Sequence, residues 1–232
     1  EYLLRNRTED FLVLGINDPS VIIGKHQVAH READTQYVME NNIPVIRRIS
    51  GGGTVYHDYG NVNFSFILNS TGGKQVDFRK YTLPVIEFLA SLKIKAELKG
   101  KNDLKVDGLK ISGNAEHVYR ERVLHHGTLL FDADLGKLKR SLRKDTSGYV
   151  TRAVASNPSH VTNLKVMATG IRDADEFRER MLDYFLSMKG NLSFILTPAE
   201  EKMIGSLADS KYRTWDWNYA YGPEYIFTSR FE

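Results

Sequence analysis

The sequence predicts a mixed α/β (α+β) fold, a mainly antiparallel β-sheet packed with helices. Three observations carry that reading: short β-branched runs bounded by turn residues, a longer stretch that alternates apolar with polar side chains, and amphipathic segments opened by capping residues. Strands and helices follow one another irregularly, without the regular alternation of a parallel βαβ wheel.

Phe11-Leu12-Val13-Leu14-Gly15-Ile16 and Val21-Ile22-Ile23-Gly24 flank Asn17-Asp18-Pro19-Ser20, giving strand, turn and strand, expected to pair as a hairpin at a sheet edge. Ile43-Pro44-Val45-Ile46 leads as another strand into Arg47 and Arg48, and further on Val62, Phe64, Phe66 and Leu68 alternate with Asn61, Asn63, Ser65 and Ile67. A helix is expected over Tyr81 to Leu92, with Pro84 in its first turn or kinking it. Leu135, Leu138 and Leu142 suggest a short helix whose other face holds Lys137, Lys139, Arg140, Arg143 and Lys144, a solvated face or, alternatively, one that steers an acidic partner. Residues 141–158 are polar enough for a long surface loop, either a lid or acceptor-contact segment or a plain connection. Between Asp173 and Lys189, Phe177, Met181, Tyr184, Phe185 and Met188 share one face, Asp173 with Glu176 caps the start and Gly190 ends the helix. Thr197-Pro198-Ala199-Glu200 is a capping box with proline at the first helical position, opening a helix through Ile204 and Leu207; both stripes are expected in the core.

A chain of 232 residues can bury a sizeable core, and 41% hydrophobic with 26% charged residues is an ordinary soluble composition without a run long enough to span a membrane. The formal charge of +3 is too small to imply nucleic acid, which requires many clustered phosphate contacts. There is no cysteine, which rules out disulfides, thiolate metal sites and thioester chemistry on this polypeptide. No basic-then-apolar leader is visible, and a cytoplasmic location is expected.

The stretch most charged with chemistry is Arg47-Arg48-Ile49-Ser50-Gly51-Gly52-Gly53-Thr54-Val55-Tyr56-His57-Asp58. Three glycines expose backbone N–H groups to close approach, and arginine offers a planar fork of donors, so this loop is suited to an anionic ligand. It joins strands and lacks the P-loop lysine, unlike a nucleotide P-loop. Because neighbouring strand residues face opposite ways, Arg47 and Arg48 are not expected to reach the same ligand. Two further blocks follow: Gly100-Lys101-Asn102-Asp103-Leu104 with Gly108-Leu109-Lys110-Ile111-Ser112-Gly113-Asn114-Ala115, and His125-His126-Gly127-Thr128-Leu129-Leu130. Asn102 offers an amide able to read an adenine edge, and Asp103 a carboxylate able to meet magnesium or a ribose hydroxyl. His57, His125 and His126 do not make a zinc site, since adjacent strand histidines diverge and no third ligand has the spacing.

These blocks, in this order and over nearly the whole chain, resemble the lipoate–protein ligase family, whose pattern reads RRxSGGGxVxHDxGN, then G-x-ND, K-x-SG-x-A and HHGTLL. The resemblance implies the biotin/lipoate ligase fold, related to class II synthetases, and residues 1–232 as a single catalytic domain. It further implies that Glu1-Tyr2-Leu3-Leu4 is the tail of a trimmed N-terminal helix, and that a small accessory domain would begin near Phe231-Glu232, where the chain stops. The implied activity uses ATP and Mg2+ to convert lipoate to lipoyl-AMP, then transfers the lipoyl group to a lysine on lipoyl domains of 2-oxoacid dehydrogenase E2 subunits or on the glycine-cleavage H protein, with an accessory domain or protein as a further partner. Lys110 is the expected catalytic residue, bridging carboxylate, phosphate and adenylate; Arg48, Ser50, Gly53, Thr54, Val55, Tyr56, Asn102 and Asp103 are expected to hold ATP and the adenylate, with Asp103 the magnesium contact. Gly52, Val55, His57, Ala115 and His126, with Lys110, are expected to line the lipoyl pocket. No residue is an obvious general base for the acceptor amine, so positioning with proton loss to the adenylate phosphate or solvent is expected. Two alternatives remain: lipoyl or octanoyl transfer from a preformed donor, and a lipoate-binding module without full activity.

Overall fold

The computed structural model describes residues 1–70, 76–143 and 145–229, so Lys144 of the basic segment and the terminal Phe231-Glu232 lie outside the described residues. In chain order the elements are α1 (Tyr2–Asn6), β1 (Phe11–Ile16), β2 (Ser20–Ile23), α2 (Ala29–Glu32), α3 (Thr35–Glu40), β3 (Val45–Arg47), β4 (Val55–His57), β5 (Asn61–Asn69), α4 (Phe78–Ser91), β6 (Glu97–Lys99), β7 (Asp103–Val106), β8 (Leu109–Tyr119), β9 (Arg122–Leu130), α5 (Leu135–Ser141), β10 (Tyr149–Thr151), α6 (Ala174–Leu186), α7 (Pro198–Leu207) and β11 (Tyr225–Phe227). Two π-helical turns, Ala208–Tyr212 and Asp216–Ala220, continue from α7.

A six-stranded antiparallel sheet runs β1-β5-β9-β8-β7-β6, and a three-stranded sheet runs β3-β2-β4 with β2 and β3 parallel. The α/β expectation therefore holds, with antiparallel pairing dominant. The expected hairpin of residues 11–16 with 21–24 does not form: β1 pairs with β5, whereas β2 pairs with β3 and β4. Asn17-Asp18-Pro19 carries the chain from one sheet to the other. The pairing follows burial, because Val21 and Ile23 are fully buried with Val45 and Tyr56, while Leu12 and Leu14 pack against the other core.

One face of the large sheet carries the main core. Val62, Phe64 and Phe66 of β5 meet Val85, Phe88 and Leu89 of α4 and Phe177, Met181 and Phe185 of α6. The alternation along β5 is the cause, since period-two side chains send this set to one face and Asn63 and Ser65 to the other. Helix α6 starts where the sequence predicts, with the Asp173 carboxylate accepting the Glu176 N–H, but it stops at Leu186, and Gly190 is a later turn with φ of 91°. Pro84 stands inside α4 rather than in its first turn, because the helix begins earlier, at the Asp77 cap. The capping box of α7 forms as expected, yet Ile204 and Leu207 are only half-buried and Glu200, paired with Arg7, is the buried member. A carboxylate shared between a cap and a guanidinium occupies the inner face that the apolar stripe was expected to fill. Among the described residues no helix is long and apolar enough to cross a membrane.

Candidate active site

The glycine loop lies between β3 and β4 and is fixed by the two arginines in different ways. Arg47 is fully buried, and its guanidinium donates to the carbonyls of Gly24, Lys25, Gln27, Trp217 and Asn218 at 2.7–3.1 Å. Its burial lowers its pKa from the ordinary arginine value. Arg48 turns the opposite way, as strand alternation requires, and donates to the carbonyls of Gly51, Gly53 and Ile22 and to Ser50 Oγ. Burial pulls its pKa down to about 10, so it remains a cation at neutral pH while bracing the loop from the cavity side. Gly52 adopts φ of 91°, a conformation that favours glycine. Gly24 is needed for a different reason: a Cβ there would sit 2.1 Å from the Gly52 carbonyl oxygen.

A cavity of about 600 Å³ opens between this loop and the outer face of the large sheet. That size suits a small-molecule ligand. The structure brings to it Arg48, Gly52, Gly53, Thr54, Val55, His57, Asn102, Asp103, Lys110, Ala115 and His126. Ser50 and Tyr56, also expected at the ligand, do not line it. Ser50 is buried beneath the loop and Tyr56 packs in the second core with Val21 and Ile23. Tyr56 alternates with Val55 and His57, which do face the cavity, so its side chain, which is not the backbone N–H the expectation invoked, points away, whereas Ser50 Oγ is taken up by Arg48 and His126.

Lys110 and Asp103 meet as an ion pair at 2.8 Å, with both side chains about one-fifth exposed. Strands β7 and β8 create the encounter, since they pair antiparallel with a register shift at Leu104/Lys105. Lys110 is also held through its backbone: its N–H donates to His160 O, and its carbonyl accepts from Thr162 N–H. The Asn102 amide is engaged, donating to Asn114 O. Among the described residues no group of three or more His, Cys, Asp or Glu could hold a metal.

The adjacent histidines diverge as the strand rule requires. His125 is fully buried on the α4 side and bonds Glu116 at 2.9 Å, whereas His126 faces the cavity. His126 Nε2 lies 2.6 Å from Ser50 Oγ, which accepts from Arg48 Nε–H; the Ser50 hydroxyl proton is thus available to His126 Nε2, leaving the imidazole proton on Nδ1. Burial, reinforced by the Arg48 charge, lowers the pKa to about 4 for His57 and about 3 for His126. Both imidazoles are neutral at physiological pH. His57 is fixed by Asn17, 3.0 Å from its Nδ1.

The sequence names no ligand role for Asn63 or Ser65, and it offers the 141–158 segment only as a lid, an acceptor-contact segment or a plain connection. Asn63 and Ser65 form the sheet floor, and residues 154–159 close the opposite side. The alternation of β5 was the available signal for the first pair, because a polar face on a strand whose other face is core must meet solvent or a ligand. For residues 154–159 only their polar, loop-like composition was visible. The basic face of α5 is smaller than expected: Lys137 and Lys139 are exposed, but Arg143 is tied to His30 O and Thr35 Oγ1.

The model of the lipoyl protein ligase A/B catalytic domain matches residues 1–186. The chain is 39% identical over 94% of its length to lipoate-protein ligase LplJ of Bacillus subtilis, and 38% identical over 98% to lipoate–protein ligase 1 of Staphylococcus aureus. It spans 66% and 70% of those relatives' own lengths. Among solved structures, a bipartite lipoate protein ligase of Thermoplasma acidophilum, described together with its E2 lipoyl domain, superposes with a TM-score of 0.77 at 29% identity, covering 91% of this chain and 84% of that one. A lipoate-protein ligase A bound with ATP superposes at 0.76 and 29% identity, covering 94% and 90%.

Proposed function

This chain belongs to the lipoyl protein ligase A/B catalytic-domain family, and on that premise we propose that it activates lipoate with ATP and attaches the lipoyl group to a lysine of a lipoyl-carrier domain. The observation that carries this reading is the placement of the Lys110 ammonium in one cavity with the glycine loop and two neutral imidazoles. Lipoate carboxylate and ATP α-phosphate repel each other, and a fixed cation between them offsets that repulsion while aligning attack. A carboxylate oxygen bonds to the α-phosphorus, the bond from that phosphorus to the bridging oxygen breaks, and pyrophosphate leaves. The acceptor amine then bonds to the acyl carbon, AMP departs, and the amine proton passes to the phosphate or solvent.

Other residues fit the same geometry. The glycine loop and the Arg48 cation that braces it stand at the anionic portion, while Val55, Ala115, His57 and His126 wall the acyl chain. Neutral imidazoles suit an apolar tail, and pKa values this low make both histidines poor bases at neutral pH, in keeping with proton loss elsewhere. Both carboxylates that line the cavity are already paired, Asp103 with Lys110 and Glu116 with His125, which fits magnesium carried in on ATP phosphates better than a resident metal. The E2 lipoyl domain described with the T. acidophilum relative supports lipoyl domains of 2-oxoacid dehydrogenases as acceptors, with the glycine-cleavage H protein as the second candidate. A cytoplasmic location follows from the same reading, since the proposed reaction consumes ATP.

The test is to incubate the chain with magnesium-ATP, lipoate and an apo lipoyl domain and record the acceptor's intact mass, with no-ATP and Lys110→Ala controls. The reading requires an ATP-dependent lipoyl mass gain, together with lipoate-dependent pyrophosphate exchange that falls at least about a thousandfold, ~4 kcal/mol, in Lys110→Ala. Lipoyl-AMP without acceptor modification would place transfer in a further segment or partner. Neither product would favour a binding module, and full exchange activity in Lys110→Ala would refute the role assigned to that lysine.

A further inference from the structure

Residues 153–162 cross the cavity as a strap with two anchors. At one end the strap joins the backbone of Lys110 through His160 O and Thr162 N–H. At the other end Ser156 reaches the glycine loop, where its Oγ accepts the Thr54 N–H at 2.8 Å and the Gln27 Nε2–H at 3.1 Å and donates to Glu32 Oε2. Gln27 is fully buried and Glu32 nearly so, and Thr54 Oγ1 donates to Gln27 Oε1 at 2.9 Å. Gln27 Oε1 also accepts the Gly24 N–H, so the cluster reaches the residue that the glycine loop packs against. The approach is close: a Cβ on Gly53 would lie 3.2 Å from Ser156 Oγ. The remaining bonds at this end, Val154 N–H to His26 O at 3.2 Å and Arg31 and Gln27 to strap carbonyls at 3.4 Å, are longer.

We propose that Glu32, acting through Ser156 and assisted by Gln27, is a positioning residue that latches the strap onto the glycine loop and so retains the acyl-adenylate until the acceptor lysine arrives. The inference rests on the ligase reading and deepens it. A hydroxyl that accepts twice and donates to a buried carboxylate has its hydrogen-bonding capacity filled, and the charge on its partner makes that bond stronger than a neutral one. The same loop and the same lysine that are to hold the reacting groups are the strap's two attachment points. Releasing Ser156 leaves the Lys110 anchor intact but opens the glycine-loop side to solvent, so the adenylate escapes or hydrolyses while its formation continues.

The experiment loads the full chain with magnesium-ATP and lipoate without acceptor and follows lipoyl-AMP appearing free in solution against the rate of pyrophosphate release in the first turnover. In Ser156→Ala the escape rate is expected to rise about tenfold, the size of one hydrogen bond to a charged group, with the first-turnover rate at saturating substrates changed by less than about threefold. Glu32→Gln, which keeps an acceptor oxygen but not the charge, is expected to give a smaller rise, and the double variant no more than Ser156→Ala alone, because the two act as one unit. Escape rates equal to the parent chain, or effects that add in the double variant, would overturn the latch. Trypsin cleavage after the exposed Arg152 of the ligand-free chain provides a readout independent of catalysis. It is expected to be about tenfold faster in Ser156→Ala, and equal rates would also overturn the latch. If the parent chain forms no lipoyl-AMP, the ligase reading falls, and the cleavage rates still decide whether the latch exists.

Discussion

Replacing Arg47 by methionine removes five hydrogen bonds from a guanidinium with no solvent exposure. Two of the carbonyls that lose the guanidinium belong to Trp217 and Asn218 in the C-terminal π-helical turn, and three to residues 24–27 under the glycine loop. Each carbonyl left unsatisfied costs about 1–3 kcal/mol. Gly24 O keeps the Gln27 N–H; if water entering the vacated space satisfies two of the other four carbonyls, the remaining two cost about 2–6 kcal/mol, and the desolvation of a buried charge that no longer has to be met offsets part of this. The net loss expected is ~2–3 kcal/mol, which is large against a typical total of about 5–15 kcal/mol. Urea unfolding followed by circular dichroism, with hydrogen exchange of residues 212–221, measures both the magnitude and the place. Arg47→Lys is expected to recover part of the stability, since three ammonium donors cannot reproduce a planar fork with five partners. A loss below about 1 kcal/mol in Arg47→Met, with unchanged exchange in that segment, would refute the assignment of Arg47 as the tie between the loop and the C-terminal turn.

The neutral histidines, His57 buried and His126 half-buried in the cavity wall, predict a pH dependence of stability. Their folded pKa values lie below the unfolded value, so their contribution is fully present above about pH 6.5 and is lost as the pH falls towards about 4 for His57 and about 3 for His126. Near pH 5 each should contribute a slope of about 1.3 kcal/mol per pH unit. Urea midpoints between pH 7 and pH 5 should therefore fall less steeply in His126→Gln than in the parent, and identical slopes would show that His126 titrates freely in the folded chain. Among the glycines, Gly24→Ala must displace the Gly52 carbonyl, and we expect lipoate affinity to weaken about tenfold or more and stability to fall by about 1–3 kcal/mol. Gly51→Ala, whose Cβ would meet nothing within 4 Å, should change stability by less than about 1 kcal/mol; calorimetric binding on the pair that found the two variants alike would refute the close-packing argument.

Signals confined to a few neighbouring residues were legible in the sequence. The caps at Asp173 and Thr197, the alternation of β5 and the divergence of Arg47 from Arg48 and of His125 from His126 all follow from periods of two or about 3.6 and from the need to satisfy the first N–H groups of a helix. The motif order also marked the residues that the structure gathers around the cavity, Lys110 and Asp103 among them, which stand seven positions apart and meet across one antiparallel pair. Only the tertiary structure decided the rest. The strands of residues 11–16 and 20–23 look like a hairpin locally, yet they join different sheets because each finds its buried partners far along the chain. The Ile204 and Leu207 stripe is only half-buried because Glu200 meets Arg7, 193 residues away, on the inner side. Ser156 and Glu32 are separated by 124 residues and carry no pattern of their own; a single hydroxyl and a single carboxylate become a latch only when folding seats the one against the other beside the glycine loop.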